Sequence, residues 1–356
     1  MWDRSLTEGT KDGGKVVTIS DVSKRAGVSR STVSRVVARN GYVSADKRRA
    51  IERAIAELGY RPNTLAQALR SNRSNMLGAV VVDVGTPYFA NMVYGMQRAS
   101  RAEGKSLLVT SGFADQDEEA RAVIELVDRS CDGIILYLER PLRDDVVEIL
   151  RKAHVPVVSI GRNHYPHSRG TVTFDNFGGA RQAMNFLIEQ GHRKIVHLSG
   201  QAEFGDVVAR IEGIEAALAD HQMQLSDIHV VNGTFSQEFG HLATTQLISE
   251  GRDFTAIFAG DDDMAAGVLQ ALRENGRRVP EDVSVIGFDD AFHAKHLWPP
   301  LTTMQQPTDT IGEAAASLLL ELLAQPNLGS GERTIDTNLV VRASVGAPPL
   351  AERQVA

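Results

Sequence analysis

Short apolar runs recur through residues 76–345, and helix-length segments separate most of them: LGAVVVDV, KSLLVTSG, DGIILYL, VPVVSIG, GTVTFD, KIVHLSG, TAIFAG and VSVIGFD. Regular alternation of strand and helix points to an α/β body of doubly wound parallel sheets, because each crossover helix must cover a sheet face. A stretch of about 270 residues is long for one such sheet, so two lobes are expected. The first lobe is expected at about 76–189 and 307–334, the second at about 190–304 and 335–346. Ligands of such sheets sit beyond the carboxyl ends of strands, so the residues just after each run are the candidates for a binding site.

Those positions hold side chains suited to a polyol. Asp83, Tyr88 and Phe89 follow the first run, Arg162 follows VPVVSIG, and Asp175, Asn176 and Phe177 follow GTVTF. Asp206 and Arg210 lie downstream of KIVHLSG, Asp261, Asp262 and Asp263 follow TAIFAG, and Asp289 and Asp290 follow VSVIGF. Carboxylates and guanidinium groups hold hydroxyls in fixed geometry, while aromatic faces stack on the apolar side of a sugar ring. Any single aspartate here could instead cap the helix that follows its strand. Six sites converging on one crevice favour ligand binding. An enzyme would use Asp261–Asp263 and Asp289–Asp290 as a glycosidase pair or a metal site. No G-x-x-x-x-G-K-[ST], G-x-S-x-G or His-Glu-x-x-His motif supports chemistry, and the ten histidines are scattered. No catalytic residue, metal or cofactor is therefore assigned, and His192 is expected to cap a helix–strand connection.

Charge divides the chain differently. Residues 1–75 carry 15 Lys and Arg against 7 Asp and Glu, whereas the whole chain has a net charge of −7. A basic head on an acidic body suggests a polyanion-binding module joined to a part that must not bind polyanions. The single cysteine, Cys131, excludes a disulfide framework and a Cys-rich zinc site, and fits a reducing cytosol. No apolar run is long enough to span a membrane. Residues 1–15 have no apolar core and read as a disordered tail rather than a secretory signal. A cytoplasmic protein without a membrane partner is expected.

The head reads as three short helices. Ser20 can cap the first, with Asp21 in its opening turn and Val22 and Ala26 on its apolar face, and Gly27 ends it. Ser29 can cap the second, where Val33, Val36 and Val37 recur at helical spacing. The third follows Ser44, buries Ile51, Ile55 and Leu58, and stops at Gly59. Two helices joined by Ala-Gly-Val-Ser make a helix-turn-helix whose second helix lies in the major groove. Its outward positions are Arg30, Ser31, Ser34 and Arg35, residue types that pair with guanine edges or hold phosphates. Pro62 to Arg70 is too short to be a stable helix alone, so a partner would have to order it.

The runs TISDVSKRAGVSRSTVSRVV, YVS and GYRPNTLAQALR, over residues 17–71, resemble the DNA-binding head of the lac repressor/galactose repressor family of transcriptional regulators. The resemblance implies that Arg30, Ser31 and Arg35 read bases, that Tyr42 lies near the backbone or a base edge, and that Thr18, Ser29, Thr32, Ser34 and Asn63 hold phosphates. It also makes residues 62–75 a hinge helix and linker, with Leu69 and Ala66 in the minor groove and Leu69 wedged between base pairs. TPYFANM, FDNFGGA, EQGHRKIVHLSG, GDDDMAAGVLQAL, RVPEDVSVIGFDD and PPLTTMQQP extend the resemblance over 76 to about 345. They imply a two-lobed fold like the periplasmic sugar-binding proteins. Arg210 and Asp289 would clamp ligand hydroxyls, Asp261 would add a polar contact, and Phe89, Phe177 and Phe235 would shape the pocket, beside Tyr88, Arg162 and Asp206.

The expected organisation is thus a tail over 1–15, a helix-turn-helix head over 16–61, the hinge over 62–75, a two-lobed effector-binding and dimerisation body over 76–346, and a tail over 347–356. The Ala/Leu-rich segment 311–325 would pack in or near the first lobe. The segment after Val345 is too short and Pro-broken for a tetramer-forming heptad bundle, so a homodimer is expected. The partners are a double-stranded DNA operator and a mono- or disaccharide. Two alternatives stay open: a regulator needing a purine or nucleoside corepressor, and a sugar-binding or sugar-processing protein whose basic head contacts polyanions without reading sequence.

Overall fold

The computed structural model describes residues 17–37, 40–61, 74–138, 140–161, 165, 167–202, 204–327 and 329–349. The chain falls into two compact units, Met1–Ser74 and Asn75–Ala356. The expected tail over 1–15 and the hinge residues Asn63, Ala66 and Leu69 lie outside the described residues.

The head is built of α1 (Ile19–Ala26), α2 (Arg30–Val37) and α3 (Ala45–Leu58) around Val22, Val33, Val36, Ile51 and Ala54. Thr18, rather than Ser20, is the first cap. Its N–H and hydroxyl both donate to Asp21 Oδ2, at 2.9 and 2.7 Å, a box that needs the acid three residues on. Ser20 thereby falls inside the first helical turn. Gly27 ends α1 at φ +66°, a left-handed conformation that would strain a residue with a Cβ. The chain then turns sharply enough for Ser29 Oγ to accept from Thr32 N–H at 3.2 Å and start α2.

The body holds two six-stranded sheets. The first contains β1 (Met76–Val81), β2 (Ser106–Ser111), β3 (Gly133–Tyr137), β4 (Val157–Ile160), β5 (Gly170–Phe174) and β11 (Gly331–Ile335). Its order is β11-β5-β4-β3-β1-β2, all parallel. The second contains β6 (Ile195–Ser199), β7 (His229–Asn232), β8 (Ala256–Ala259), β9 (Ser284–Asp289), β10 (Thr302–Gln305) and β12 (Asn338–Val340), in the order β12-β10-β9-β8-β6-β7. Only the β10–β12 pairing there is antiparallel.

Each sheet is covered on both faces, and the two-residue period of its strands feeds both cores. Leu77, Ala79 and Val81 of β1 pack with Met92 and Met96 of α4 (Pro87–Ala102) and with Leu319 of α11 (Thr308–Ala324), whereas Val80 faces α5 (Gln116–Asp128) and α6 (Asp144–Ala153). Ala256 and Phe258 of β8 face α7 (Asn176–Glu189) and α8 (Gly205–Asp220); Ile257 and Ala259 face α9 (Gln237–Ser249) and α10 (Asp262–Glu274).

One expected boundary is wrong. Helix α7 was expected in the first lobe, but its Ala180, Ala183, Met184 and Leu187 lie in the second lobe's core. The chain therefore crosses between lobes just after β5, at Asp175, not after residue 189. The segment 311–325 does pack in the first lobe, through Ile311, Ala315 and Leu319. His192 is no helix cap. It is buried, and its ring bonds to Thr255 Oγ1, Ser284 Oγ and the Gly346 carbonyl, tying the end of the body to the second lobe. No helix among the described residues is long and apolar enough to cross a membrane.

Candidate functional site

Both sheets reverse their strand order, at β1/β3 and at β6/β8. Crevices open at such reversals, beyond the carboxyl ends of the strands. The two reversals share one cleft of about 260 Å³, lined from the first lobe by Thr86, Tyr88, Phe89, Tyr137, Leu138, Ile160 and Gly161. Phe204, Asp206, Arg210, Phe235, Asp261, Asp263 and Asp289 line it from the second lobe.

Arg210 organises the second-lobe wall. It is 7% exposed, and its guanidinium lies over the Phe288 ring at 3.9 Å. Nε donates to Asn176 Oδ1 at 2.8 Å, Nη1 to the Gly260 carbonyl at 2.5 Å, and Nη2 stands 3.7 Å from Asp289 Oδ1. A buried guanidinium needs such partners, and these fix its plane against the cleft. The Asp289 oxygen is buried and accepts no hydrogen bond, so a donor supplied by a ligand would complete it. Asp289 and Asp290 also have φ of +107° and +55°, a conformation that side-chain-bearing residues rarely adopt.

Buried Asp262 holds that turn in place. One carboxylate oxygen accepts from Thr303 Oγ1 at 2.6 Å and the other from Ala291 N–H at 2.7 Å. Burial raises its pKa to about 8, with Asp261 and Asp290 adding repulsion and the two hydrogen bonds opposing the shift. Burial likewise lifts Asp261 to about 6 and Asp289 well above the ordinary range. An unfolded aspartate ionises near 4, whereas Asp262 in the folded chain keeps its proton to about 8, so stability falls as pH rises across that window. Asp262→Asn is expected to flatten this slope, read as the urea midpoint between pH 5 and 8. Asp262→Ala is expected to cost about 1–3 kcal/mol, because it strands a buried donor. An unchanged pH slope in the Asn variant would contradict the assignment.

A hydrogen-bonded path joins the two walls. Tyr88 Oη donates to Gln306 Oε1 at 3.0 Å, and Gln306 Nε2 donates to Asn176 Oδ1 at 3.0 Å, the oxygen that also holds Arg210. Tyr137 Oη reaches Asp206 Oδ2 at 3.5 Å across the cleft. Phe89 meets Tyr88 and Tyr137 edge to face at 5.0 and 5.1 Å.

Of the residues expected here, Tyr88, Phe89, Asp206, Arg210, Phe235, Asp261 and Asp289 line the cleft, and Arg162 lies outside the described residues. Phe177 does not line it. Asn176 takes the inward place at the start of α7, and the next residue, about 100° further round the helix, points away. Asp175 and Asp261 prove to be helix caps as well, accepting from Gly178 and Met264 N–H. Tyr137 and Gln306 were not anticipated.

In the head, Arg30, Ser31 and Arg35 are exposed on one side of α2, opposite buried Val33 and Val36. Arg30 Nη2 donates to Ser20 Oγ at 2.7 Å. Ser29 Oγ lies 2.8 Å from both Ser31 Oγ and Thr32 Oγ1. Thr18 is exposed, Ser34 is half-buried beside them, and Tyr42 is 90% exposed.

Residues 18–63 match the family of bacterial regulatory proteins named for lacI, and residues 184–345 match a periplasmic binding protein-like domain. The HTH-type transcriptional repressor PurR of Klebsiella pneumoniae is 32% identical over 340 residues, 95% of this chain and 99% of its own. The regulator CelR of Thermobifida fusca is 35% identical over 334 residues, 92% of this chain and 98% of its own. This chain belongs to the lacI family. Like other lacI-family members it is a DNA-binding transcriptional regulator. The CelR–cellobiose complex aligns with a TM-score of 0.70 at 35% identity over 92% of this chain and 99% of that one. The lac repressor dimer bound to operator and the anti-inducer ONPF aligns at 0.83, with 29% identity, over 94% and 100%.

Proposed function

We propose that this lacI-family regulator is a cytoplasmic repressor, without catalytic activity, that binds a palindromic operator as a homodimer and is released by a small sugar. The observation that carries the reading is the cleft itself. Buried Arg210 and the unbonded Asp289 oxygen, with Phe235 beside them, face aromatic Phe89 and Tyr137, an arrangement that accepts hydroxyls at one wall and stacks a pyranose at the other. The sugar bound by CelR and the operator-bound lac repressor dimer support the same assignment.

On the DNA side, Arg30, Ser31, Arg35 and Tyr42 contact bases. Thr18, Ser29, Thr32, Ser34 and Asn63 hold phosphates, and Leu69 and Ala66 enter the minor groove. Two heads on one dimer read a two-fold site, which is why the operator is a palindrome. A sugar weakens operator binding only by its differential affinity for the two conformations of the body.

Fluorescence anisotropy on duplexes tiled across the gene's own upstream region, with competitor DNA, tests the reading. One fragment should bind ~10³-fold tighter than random DNA, and one member of a panel of sugars and purine bases should relieve it. Equal, salt-sensitive binding to every fragment, with or without any compound, would overturn it. Relief or enhancement by a purine alone would replace the sugar. Leu69→Ala is expected to weaken operator binding about tenfold or more while sugar affinity stays unchanged, since unstacking wedges act on DNA alone. Equal operator affinity in that variant would remove the hinge wedge.

A further inference from the structure

The charges around the cleft restrict what the sugar can be. Its described lining carries four carboxylates, on Asp206, Asp261, Asp263 and Asp289, against one guanidinium, on Arg210. That guanidinium is already held by Asn176, the Gly260 carbonyl and Asp289. Adding Arg162 from the neighbouring sequence to the cations still leaves acids in excess.

Helix amino termini offer an anion no alternative seat on the second-lobe wall. A helix start attracts phosphate through its free N–H groups and its dipole. Here α8 carries Asp206 in its first turn, and α10 carries Asp262 and Asp263 behind its cap Asp261, which takes the Met264 N–H. Asp175 does the same for α7 at Gly178. On the first-lobe wall, α4 begins beside Thr86 without an acid, but Pro87 at its start removes one of the N–H donors. Burial is the main cause of the raised pKa values of Asp261 and Asp289, and the crowding of neighbouring carboxylates adds to both shifts. A hydroxyl or ammonium donor relieves that crowding, and an added anion worsens it.

Building on the sugar-responsive reading above, we infer that the effector bears no phosphate or carboxylate: it is a free neutral sugar or an amino sugar. The regulator then reads its sugar before any kinase acts, and phosphorylation of that sugar extinguishes the signal.

Isothermal titration of the full-length protein tests this with glucose, galactose, cellobiose, glucosamine and galactosamine against glucose 6-phosphate, galactose 6-phosphate, glucuronate and galacturonate. At least one uncharged or amino sugar should bind, with its phosphorylated or carboxylated form about 100-fold weaker or worse, as like charges brought together in a cleft require. The double variant Asp206→Asn/Asp263→Asn should narrow that ratio about tenfold. Anionic forms binding as tightly as free ones would overturn the inference and leave the sugar-responsive reading standing. A ratio unchanged in the double variant would also overturn it, because these carboxylates would not be its cause. Failure of every compound, with operator binding intact, would remove the sugar reading and the inference together.

Discussion

Arg210→Ala is expected to lower sugar affinity by about 100-fold or more while leaving operator affinity within about twofold. The guanidinium does three things at once: it holds Asn176 and the Gly260 carbonyl, it offsets the charge of Asp289, and it stacks on Phe288. Removing a buried charge that is hydrogen-bonded to its surroundings and paired with another charge costs roughly 2–5 kcal/mol, much of it from the groups left behind. Asp289 would answer by binding a proton more firmly, turning an acceptor for sugar hydroxyls into a donor. Arg210→Lys should recover only part of the loss, since an ammonium keeps the charge but not the planar fork or the stacking face. Titration calorimetry with the best-binding sugar reads the affinities, and a circular dichroism melt confirms that each variant is folded. An undiminished sugar response in Arg210→Ala would take this residue out of the site.

The second large effect belongs to the head. Arg30→Ala is expected to weaken operator binding about 10- to 100-fold and to relax the preference at one base pair in each half-site, because a bidentate guanidinium–guanine pair carries about 1–3 kcal/mol of discrimination. Arg30 is exposed and bonded only to the Ser20 hydroxyl in α1 among the contacts described, so its removal should scarcely touch the stability of the head. Thr18→Ala, by contrast, should weaken operator and random DNA alike and also lose the Asp21 box, which lowers the melting temperature. Anisotropy across single-base-pair operator variants separates the two outcomes. A uniform loss for Arg30→Ala would reassign it from bases to phosphates.

Sequence patterns carried the architecture further than they carried the site. Helix caps and breakers in the head are local chemistry, and Gly27, Ser29, Ser44 and Gly59 stand where their residue types require. The two sheets follow from alternating runs whose odd and even residues feed opposite cores. Which sheet a crossover helix covers is a different matter. The apolar face of α7 would suit either lobe, and only the course of the chain after Asp175 decides for the second. Within the site, strand ends pointed to Asp261 and Asp289, because a strand terminus fixes where its next few residues lie. Arg210 lies inside α8, well past the end of β6, and its place came from the family resemblance. Phe177 falls outside the cleft lining because a helix turns about 100° per residue, so the neighbour of inward Asn176 faces elsewhere. Tyr137 lies within the apolar run DGIILYL and Gln306 within PPLTTMQQP, and nothing local shows that either faces the other lobe.

The central claim is that the cleft and the DNA-binding head are two coupled sites of one molecule. It is tested most directly by titrating the relieving sugar into the full-length protein with and without saturating operator duplex. Linkage requires that operator lower sugar affinity by the same factor by which sugar lowers operator affinity, typically about 5- to 150-fold. Equal factors in the two directions are the predicted result. Sugar affinity indifferent to operator, measured where both ligands bind, would contradict it and leave two independent binding sites on one chain.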